Sequence, residues 1–475
     1  MRKVEKLKYF ILSAIVLLGF IVRLYKIDNP VADWHSWRQA DTASVTRTYV
    51  ERGIDLLHPR YHDISTTQTG VFNPEGYRMV EFPVFNAIHT YLAKMSLFSL
   101  EVWGRLLSIF SSLVSGVVLY FIGKKFMGLV GGLLTTFFFL IIPYNVYFSR
   151  VILPEPMAVT FGLLSIFLFI KFLEREKSTF LLMSAIFFAL SILIKPFTLF
   201  YGVPIAYLVV KKYGFTNLFK KVPLLLALDI AIAPFFLWRI WINQYPEGIP
   251  HFLWAFNGDH IRFRPSFWMW IFGERLSRLI LGGTGMLPFS LGILFYKKNK
   301  AFVNMFLLGM LLYVVVIATA NVRHDYYQTI TIPAISLALA SGSLVIWEAK
   351  GMQKLFARSI LVASIAISFI AGALQVREFY KINHPEIIEA GIAVDRITPK
   401  EALVVAPYNG DTAFLYQTKR WGWPVVDRPL PEIIQKGADF YVSVNFDSQT
   451  NEFMQKFVTV EKTSNYVILD LNKKI

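Results

Sequence analysis

A few short stretches of this 475-residue chain carry the residue types that proton transfer and anion binding require. Asp41 lies in HSWRQADTASVTRTYVERG, His35 to Gly53. An aspartate just ahead of TASVTRTYV is a favoured helix N-cap, its carboxylate accepting backbone N–H bonds. A chemical role is compatible with that one, because a cap fixes the carboxylate and leaves a second oxygen open. Glu81, in VEFP, is either a solvated loop residue or a second reactive carboxylate. Glu155 stands between two prolines in LPEP at the start of an apolar run, and a carboxylate at membrane depth is costly unless it meets a partner or water. Lys195 ends the run ILIKPFTLF, where it either snorkels to the interface or meets a phosphate. Arg323, His324, Asp325, Tyr326 and Tyr327 gather donors and an imidazole in one short loop, a pattern suited to an anion or hydroxyl site.

Carboxylates at one level and Lys, Arg, His and Tyr at another make a specific combination. Moving a sugar from a phosphate leaving group to a hydroxyl needs a base for the acceptor's proton and cations for the charge growing on the phosphate. A multi-span transporter or lipid flippase is the alternative, since it too uses intramembrane carboxylates. It has less need of a long outer loop and an outer domain.

The elements that must position these residues are membrane helices. The chain is 55% hydrophobic and 16% aromatic, above the roughly 45–50% apolar share of soluble domains. Lys and Arg exceed Asp and Glu, 48 against 32, which in such a chain marks cytoplasmic loops rather than nucleic-acid binding. The absence of cysteine excludes structural disulfides, thiolate metal sites and a cysteine nucleophile. The N-terminal MRKVEKLKYFILSAIVLLGF has the basic head and apolar run of a signal peptide. Val22, Arg23 and Leu24 follow without a small-residue cleavage site, so it reads as a retained first span.

Apolar runs near 20 residues, enough to cross roughly 30 Å of hydrocarbon, predict about eleven spans. They fall near 8–25, 103–123, 127–147, 156–173, 179–194, 197–211, 223–242, 278–296, 301–320, 329–348 and 356–376. Counting from a cytoplasmic N-terminus, the inside loops become 124–125, 171–177, 211–221, 297–300 and 350–358, and each is basic. Outside lie residues 26–102, 149–156, 243–277 and 321–329, and the tail after about 377. The chain is thus expected to be integral to a bacterial or archaeal plasma membrane, with its C-terminal domain extracytoplasmic.

In the first outer loop, TASVTRTYVERGIDLL and FNAIHTYLAKMSLFSL read as amphipathic helices in the interface plane. The aromatic FWMWIF reads as an interfacial belt, and Arg262, Arg264, Arg275 and Arg278 lie outside against the positive-inside trend, where they call for an anionic partner. The tail reads as a small α/β domain: HPEIIEAGIAVDRI and PLPEIIQKGA as helices, ALVVAP, DFYVSV and NYVILDL as strands. It has no glycine-rich phosphate loop and is assigned no catalysis. The domains expected are 1–376, membrane-spanning with the loop 26–102, and 377–475. No internal repeat is visible.

Over residues 8–376 the order of segments resembles the GT-C glycosyltransferases of the protein O-mannosyltransferase and aminoarabinose transferase group. The resemblance rests on WRQADTASVTRTYVERG after the first span, EFPVFNAIHTYL, WGRLLSIFSSLVSGVVLYFIGKKF, LPEP and HDYYQTITIP, in that order. It implies a polytopic α-helical GT-C fold with an extracytoplasmic α/β domain. It also implies transfer of a sugar from a polyprenyl-phosphate carrier, with inversion, to a lipid, glycan or protein acceptor, and no nucleic-acid partner.

The resemblance assigns Asp41 as the first-loop general base or acceptor-orienting group, Glu155 as the second acidic position and Glu81 as a third carboxylate lining the same cavity. His324, Tyr326 and Tyr327 fall where the family places residues near the donor phosphate. Lys195 and Arg262 join that phosphate set on electrostatic grounds alone. Thr42 stands where protein mannosyltransferases carry Glu, and Phe82 where aminoarabinose enzymes carry Lys. Some relatives hold a divalent metal near these carboxylates. With no thiolate and scattered histidines, no metal ligand is assigned here, and a divalent ion stays an open alternative.

Overall fold

The structure is a computed structural model that describes residues 2–216, 221–349 and 354–475. Residues 217–220 and 350–353, within two of the loops expected to be cytoplasmic, lie outside the described residues. The chain forms two compact units. One comprises Met1–Ile27, Arg105–Trp238 and Phe252–Phe379; the other comprises Asp28–Gly104, Arg239–His251 and Tyr380–Ile475.

The first unit is helical. Among the described residues, five helices are long and apolar enough to cross a membrane: Leu100–Ile141, Glu155–Arg175, Val222–Ile242, Asp325–Trp347 and Lys354–Tyr380. Three shorter apolar helices, Ser178–Ile194, Met286–Phe295 and Lys300–Val316, fall on other expected spans. The 42-residue Leu100–Ile141 run would be about 63 Å long if straight. It is instead a hairpin broken at Gly128, whose φ of +80° suits a residue without Cβ. The arms return against each other: Thr136 donates to the Gly116 carbonyl at 3.0 Å, and a Cβ on Gly132 would lie 2.6 Å from the Tyr120 carbonyl oxygen. Small residues let the arms pack this closely.

The expected span at 278–296 is divided. A π-helical run, Met269–Ile280, ends in a turn at Gly282 and Gly283, both with positive φ, and the apolar helix begins only at Met286. Trp268, Met269, Trp270 and Phe272 of the aromatic segment are exposed.

In the second unit a five-stranded sheet has the order β2-β1-β3-β5-β4. The strands are β1 Leu403–Val405, β2 Trp421–Trp423, β3 Ala438–Ser443, β4 Phe457–Lys462 and β5 Val467–Lys474. β1 runs parallel to β2 and β3, whereas β5 runs antiparallel to β3 and β4. Helices Glu386–Ile397 and Leu430–Gln435 appear where the sequence predicts them. β2, β4 and the helices Thr412–Thr418 and Ser448–Met454 were not legible beforehand. The two short helices are capped by Asp411 and Asp447, whose carboxylates accept from the backbone of Ala413 and Thr450.

The first long loop is part of this same unit. Ile64 N–H donates to the Gly422 carbonyl at 2.9 Å and Gly422 N–H to the His62 carbonyl at 3.0 Å, so residues 62–64 extend the sheet beside β2. Ile64 packs into the sheet core with Trp423, Tyr441 and Leu469, and Phe72 stacks on Trp423. The helix Ser36–Arg52 is buried along most of its length and packs on helix Val84–Ala93 and on helix Thr412–Thr418. An amphipathic helix lying in the interface plane would keep one polar face in water. This helix is covered by protein instead.

Candidate functional site

Asp41 is not an N-cap. The helix begins at Ser36 behind His35, so Asp41 sits in its second turn. Tertiary partners favour the early start: Arg38 pairs with Glu81, and Gln39 donates to Asp33 Oδ1 at 2.6 Å, both from the turn that local pattern leaves as loop. Asp41 is 1% exposed, and its carboxylate is held from both sides. Arg78 Nη2 meets Oδ2 at 2.7 Å, with Gln68 Nε2 at 3.5 Å from the same oxygen. Thr412 donates its hydroxyl hydrogen to Oδ1 at 2.7 Å. Arg78 also donates to Gln68 Oε1 and lies over the Tyr61 ring, 5.1 Å from its centroid.

Two further carboxyls share this neighbourhood. Asp63 is pushed up to about 6, chiefly by burial; the Ser65 hydrogen bonds and Arg78 oppose the rise and the Asp41 charge adds to it. Asp411 is likewise raised to about 6 by burial, against the pull of the Ala413 N–H and with the Asp41 charge reinforcing it. His62 is held well below its ordinary value by burial, helped by Arg47 and Arg52, and stays neutral.

Glu81 precedes helix Val84–Ala93 and is taken up by Arg38. Among the described residues no three His, Cys, Asp or Glu side chains gather closely enough to hold a metal ion.

The remaining predicted residues belong to the helical unit. Glu155 is the first residue of helix Glu155–Arg175, is fully buried, and meets Lys195 Nζ at 2.6 Å. Lys195 closes helix Ser178–Ile194 in an extended conformation, because Pro196 excludes a helical geometry before it. Its ammonium faces the rings of Tyr327, Phe197 and Tyr326, at 5.0, 5.5 and 5.9 Å from their centroids. His324 stacks beside Tyr326 and Tyr327 and edge-on to Trp254.

The loop carrying these residues is pinned by phenol hydroxyls from elsewhere. Tyr144 donates to the Asp325 carbonyl at 2.6 Å, Tyr201 to that of Ile330 at 2.7 Å and Tyr313 to that of Tyr327 at 3.1 Å. Arg275 donates to the Val322 carbonyl at 2.7 Å and faces Asp325 at 3.6 Å. Glu155, Lys195, Tyr326 and Tyr327 are thus gathered at one place. Arg262 is occupied differently: its guanidinium donates to the carbonyls of Phe256 and Val316 and ties two segments of backbone together. Beside the loop, Ile271, Phe272, Leu276, Gln328, Thr331 and Ile335 line part of an apolar groove of about 370 Å³.

Sequence reasoning missed Arg78, Gln68, Asp63, Asp411 and Thr412. Only Arg78 carried a signal, as a cation in a loop already rich in acids.

The model of the dolichyl-phosphate-mannose-protein mannosyltransferase family matches residues 82–241. A sequence search of curated proteins gives no match. Among solved structures, ArnT from Cupriavidus metallidurans bound to undecaprenyl phosphate aligns over 97% of both chains at TM-score 0.64 and 12% identity. The oligosaccharyltransferase AglB of Archaeoglobus fulgidus, in complex with an inhibitory peptide and a dolichol-phosphate, aligns over 92% of this chain and 69% of its own, at TM-score 0.59 and 11% identity. The mycobacterial arabinofuranosyltransferase AftD aligns over 97% of this chain and 41% of its own, at TM-score 0.57 and 12% identity. The fold is that of the GT-C membrane glycosyltransferases, an α-helical membrane part with a small α/β sheet.

Proposed function

We propose that the chain is an inverting glycosyltransferase that moves a sugar from a polyprenyl-phosphate carrier to a hydroxyl acceptor on the extracytoplasmic face of the membrane. In a single displacement the acceptor oxygen bonds to the anomeric carbon as the bond from that carbon to the phosphate oxygen breaks. The acceptor's proton passes to Asp41, and polyprenyl phosphate departs with the bonding pair. Glu155 holds the acceptor or the oxocarbenium-like centre, and Glu81 supports the acceptor side through Arg38. Lys195 and the His324, Tyr326, Tyr327 loop meet the donor phosphate; Arg262 keeps nearby backbone in place for them. The N-terminus is cytoplasmic, and the long first loop and the tail lie outside.

The observation that carries this reading is the hold on Asp41. A base must be aimed before the substrate arrives, and a buried carboxylate braced by Arg78 on one oxygen and Thr412 on the other meets that need. The apolar groove lined in part by Gln328 and Thr331 suits an isoprenoid chain, and the ArnT structure with the same fold is bound to undecaprenyl phosphate.

Two measurements test it. Purified protein should bind undecaprenyl phosphate in native mass spectrometry, and the lipid that co-purifies should identify the donor by its head group. Asp41→Asn should lose roughly 10²- to 10⁴-fold in transfer rate with its melting transition retained. Unchanged turnover in that variant rejects the base assignment, and lipid translocation in vesicles without sugar transfer rejects the enzyme.

A further inference from the structure

We infer that Thr412, a residue of the C-terminal tail, is a positioning residue for Asp41, so that the tail completes the carboxylate's geometry; the inference rests on the reading of Asp41 as the base. Thr412 opens helix Thr412–Thr418, and its Oγ1 lies 2.7 Å from Asp41 Oδ1 and 3.3 Å from the Trp37 carbonyl oxygen. A hydroxyl has one hydrogen, and the shorter, charge-assisted contact takes it.

The second side-chain torsion of an aspartate is broad and roughly two-fold. A carboxylate held through one oxygen alone can therefore swing about that bond. Arg78 and Gln68 hold Oδ2. Thr412 supplies the hold on Oδ1, fixes the plane of the carboxylate, and leaves one lone pair of Oδ1 to accept a proton.

The hydroxyl could instead be a stand-in for the acceptor's own hydroxyl, displaced when substrate arrives. The helix that carries it argues against this. Asp411 caps it, with the Ala413 N–H 2.7 Å from Oδ1. Tyr416 donates to Glu101 at 2.6 Å, Arg47 donates to the Tyr416 carbonyl at 2.9 Å and lies 3.8 Å from its ring centroid, and Gln417 donates to the Val31 carbonyl at 2.9 Å. Four anchors on seven residues make a fixed support and not a movable plug.

Thr412→Val removes the hydroxyl with little change of shape, and Thr412→Ser keeps it. With undecaprenyl-phosphate mannose as the probe and release of undecaprenyl phosphate as the readout, Thr412→Val should lower kcat roughly 10- to 100-fold, the loss of one hydrogen bond to a charged group. KM for the probe should be unchanged, and Thr412→Ser should turn over close to the unmodified rate. Retained kcat in Thr412→Val overturns the inference, and a raised kcat overturns it in favour of the stand-in.

A second arm needs no activity. In thermal melts of the full chain, Thr412→Val should shift the midpoint less in an Asp41→Asn background than in the unmodified chain. Additive shifts overturn the coupling, and this arm also decides the matter if Thr412→Val proves too unstable to assay. Should the unmodified chain release no lipid phosphate from the probe while the melts show coupling, it is the enzyme reading that has failed.

Discussion

Lys195 and Glu155 form an ion pair of 2.6 Å in which the two side chains are 6% and 0% exposed. The pair joins the end of one apolar helix to the start of another, Ser178–Ile194 to Glu155–Arg175. Burial makes such a pair costly to form but far more costly to break on one side. Lys195→Met should therefore destabilise the protein by roughly 3–5 kcal/mol, and Glu155→Gln combined with Lys195→Met should recover much of the loss. Melting of the purified variants in detergent checks this; losses that simply add would show that the two groups stabilise the fold independently.

Asp63 gives the fold a pH dependence of defined sign. Its carboxyl rises to about 6 in the folded chain from its ordinary 3.8, chiefly through burial. The folded state thus binds the proton more tightly than the unfolded chain does. The stability this contributes is fully present below about pH 4 and is lost as pH rises through about 6. Asp63→Asn cannot titrate, so its stability relative to the unmodified chain should improve by on the order of 2–3 kcal/mol between pH 4 and pH 7. Paired melts at the two pH values measure that difference, and a difference that is flat with pH would contradict the assignment.

Gly422 should tolerate no side chain. Its φ is +157°, and a Cβ built there would lie 1.8 Å from the Val404 carbonyl oxygen on the neighbouring strand β1. Both partners are backbone, so neither can turn aside. Gly422→Ala should cost roughly 3 kcal/mol or more and loosen residues 62–64, which pair with the same glycine. Hydrogen exchange at Ile64 and at Gly422 itself would report it directly, and native-like protection at both would refute the packing argument.

Tyr416→Phe removes one hydroxyl, the donor to Glu101 Oε1 at 2.6 Å. Glu101 keeps Arg47, 3.3 Å away, so the carboxylate stays paired. The expected loss is about 1.5–3 kcal/mol, the range for a hydrogen bond to a charged acceptor. A melting midpoint unchanged from the unmodified chain would show that the phenol is dispensable.

The apolar runs and the lysines and arginines between them determined by themselves that the chain is a helical membrane protein. A break in the long apolar run and the start of helix Glu155–Arg175 could be read from local pattern, although the break falls at Gly128 and not at the expected residues 124–125. The strands ALVVAP, DFYVSV and NYVILDL were equally plain, because continuous apolar runs bounded by turn residues state their own burial. Asp41, Glu155, Lys195, Tyr326 and Tyr327 were named from residue type and position.

Tertiary structure decided what those residues do to one another. Asp41 looked like a helix cap because the turn before it has no apolar period of its own. Arg38 and Gln39 find partners in Glu81 and Asp33, and those distant groups extend the helix past the expected start. β2, the three-residue strand WGW, carries too little pattern to be recognised and is defined by its neighbours on either side. Thr412 lies 371 residues from Asp41 in sequence. A hydrogen bond over that separation leaves no periodicity and no spacing to read, since it depends only on how the loop and the tail fold into one unit.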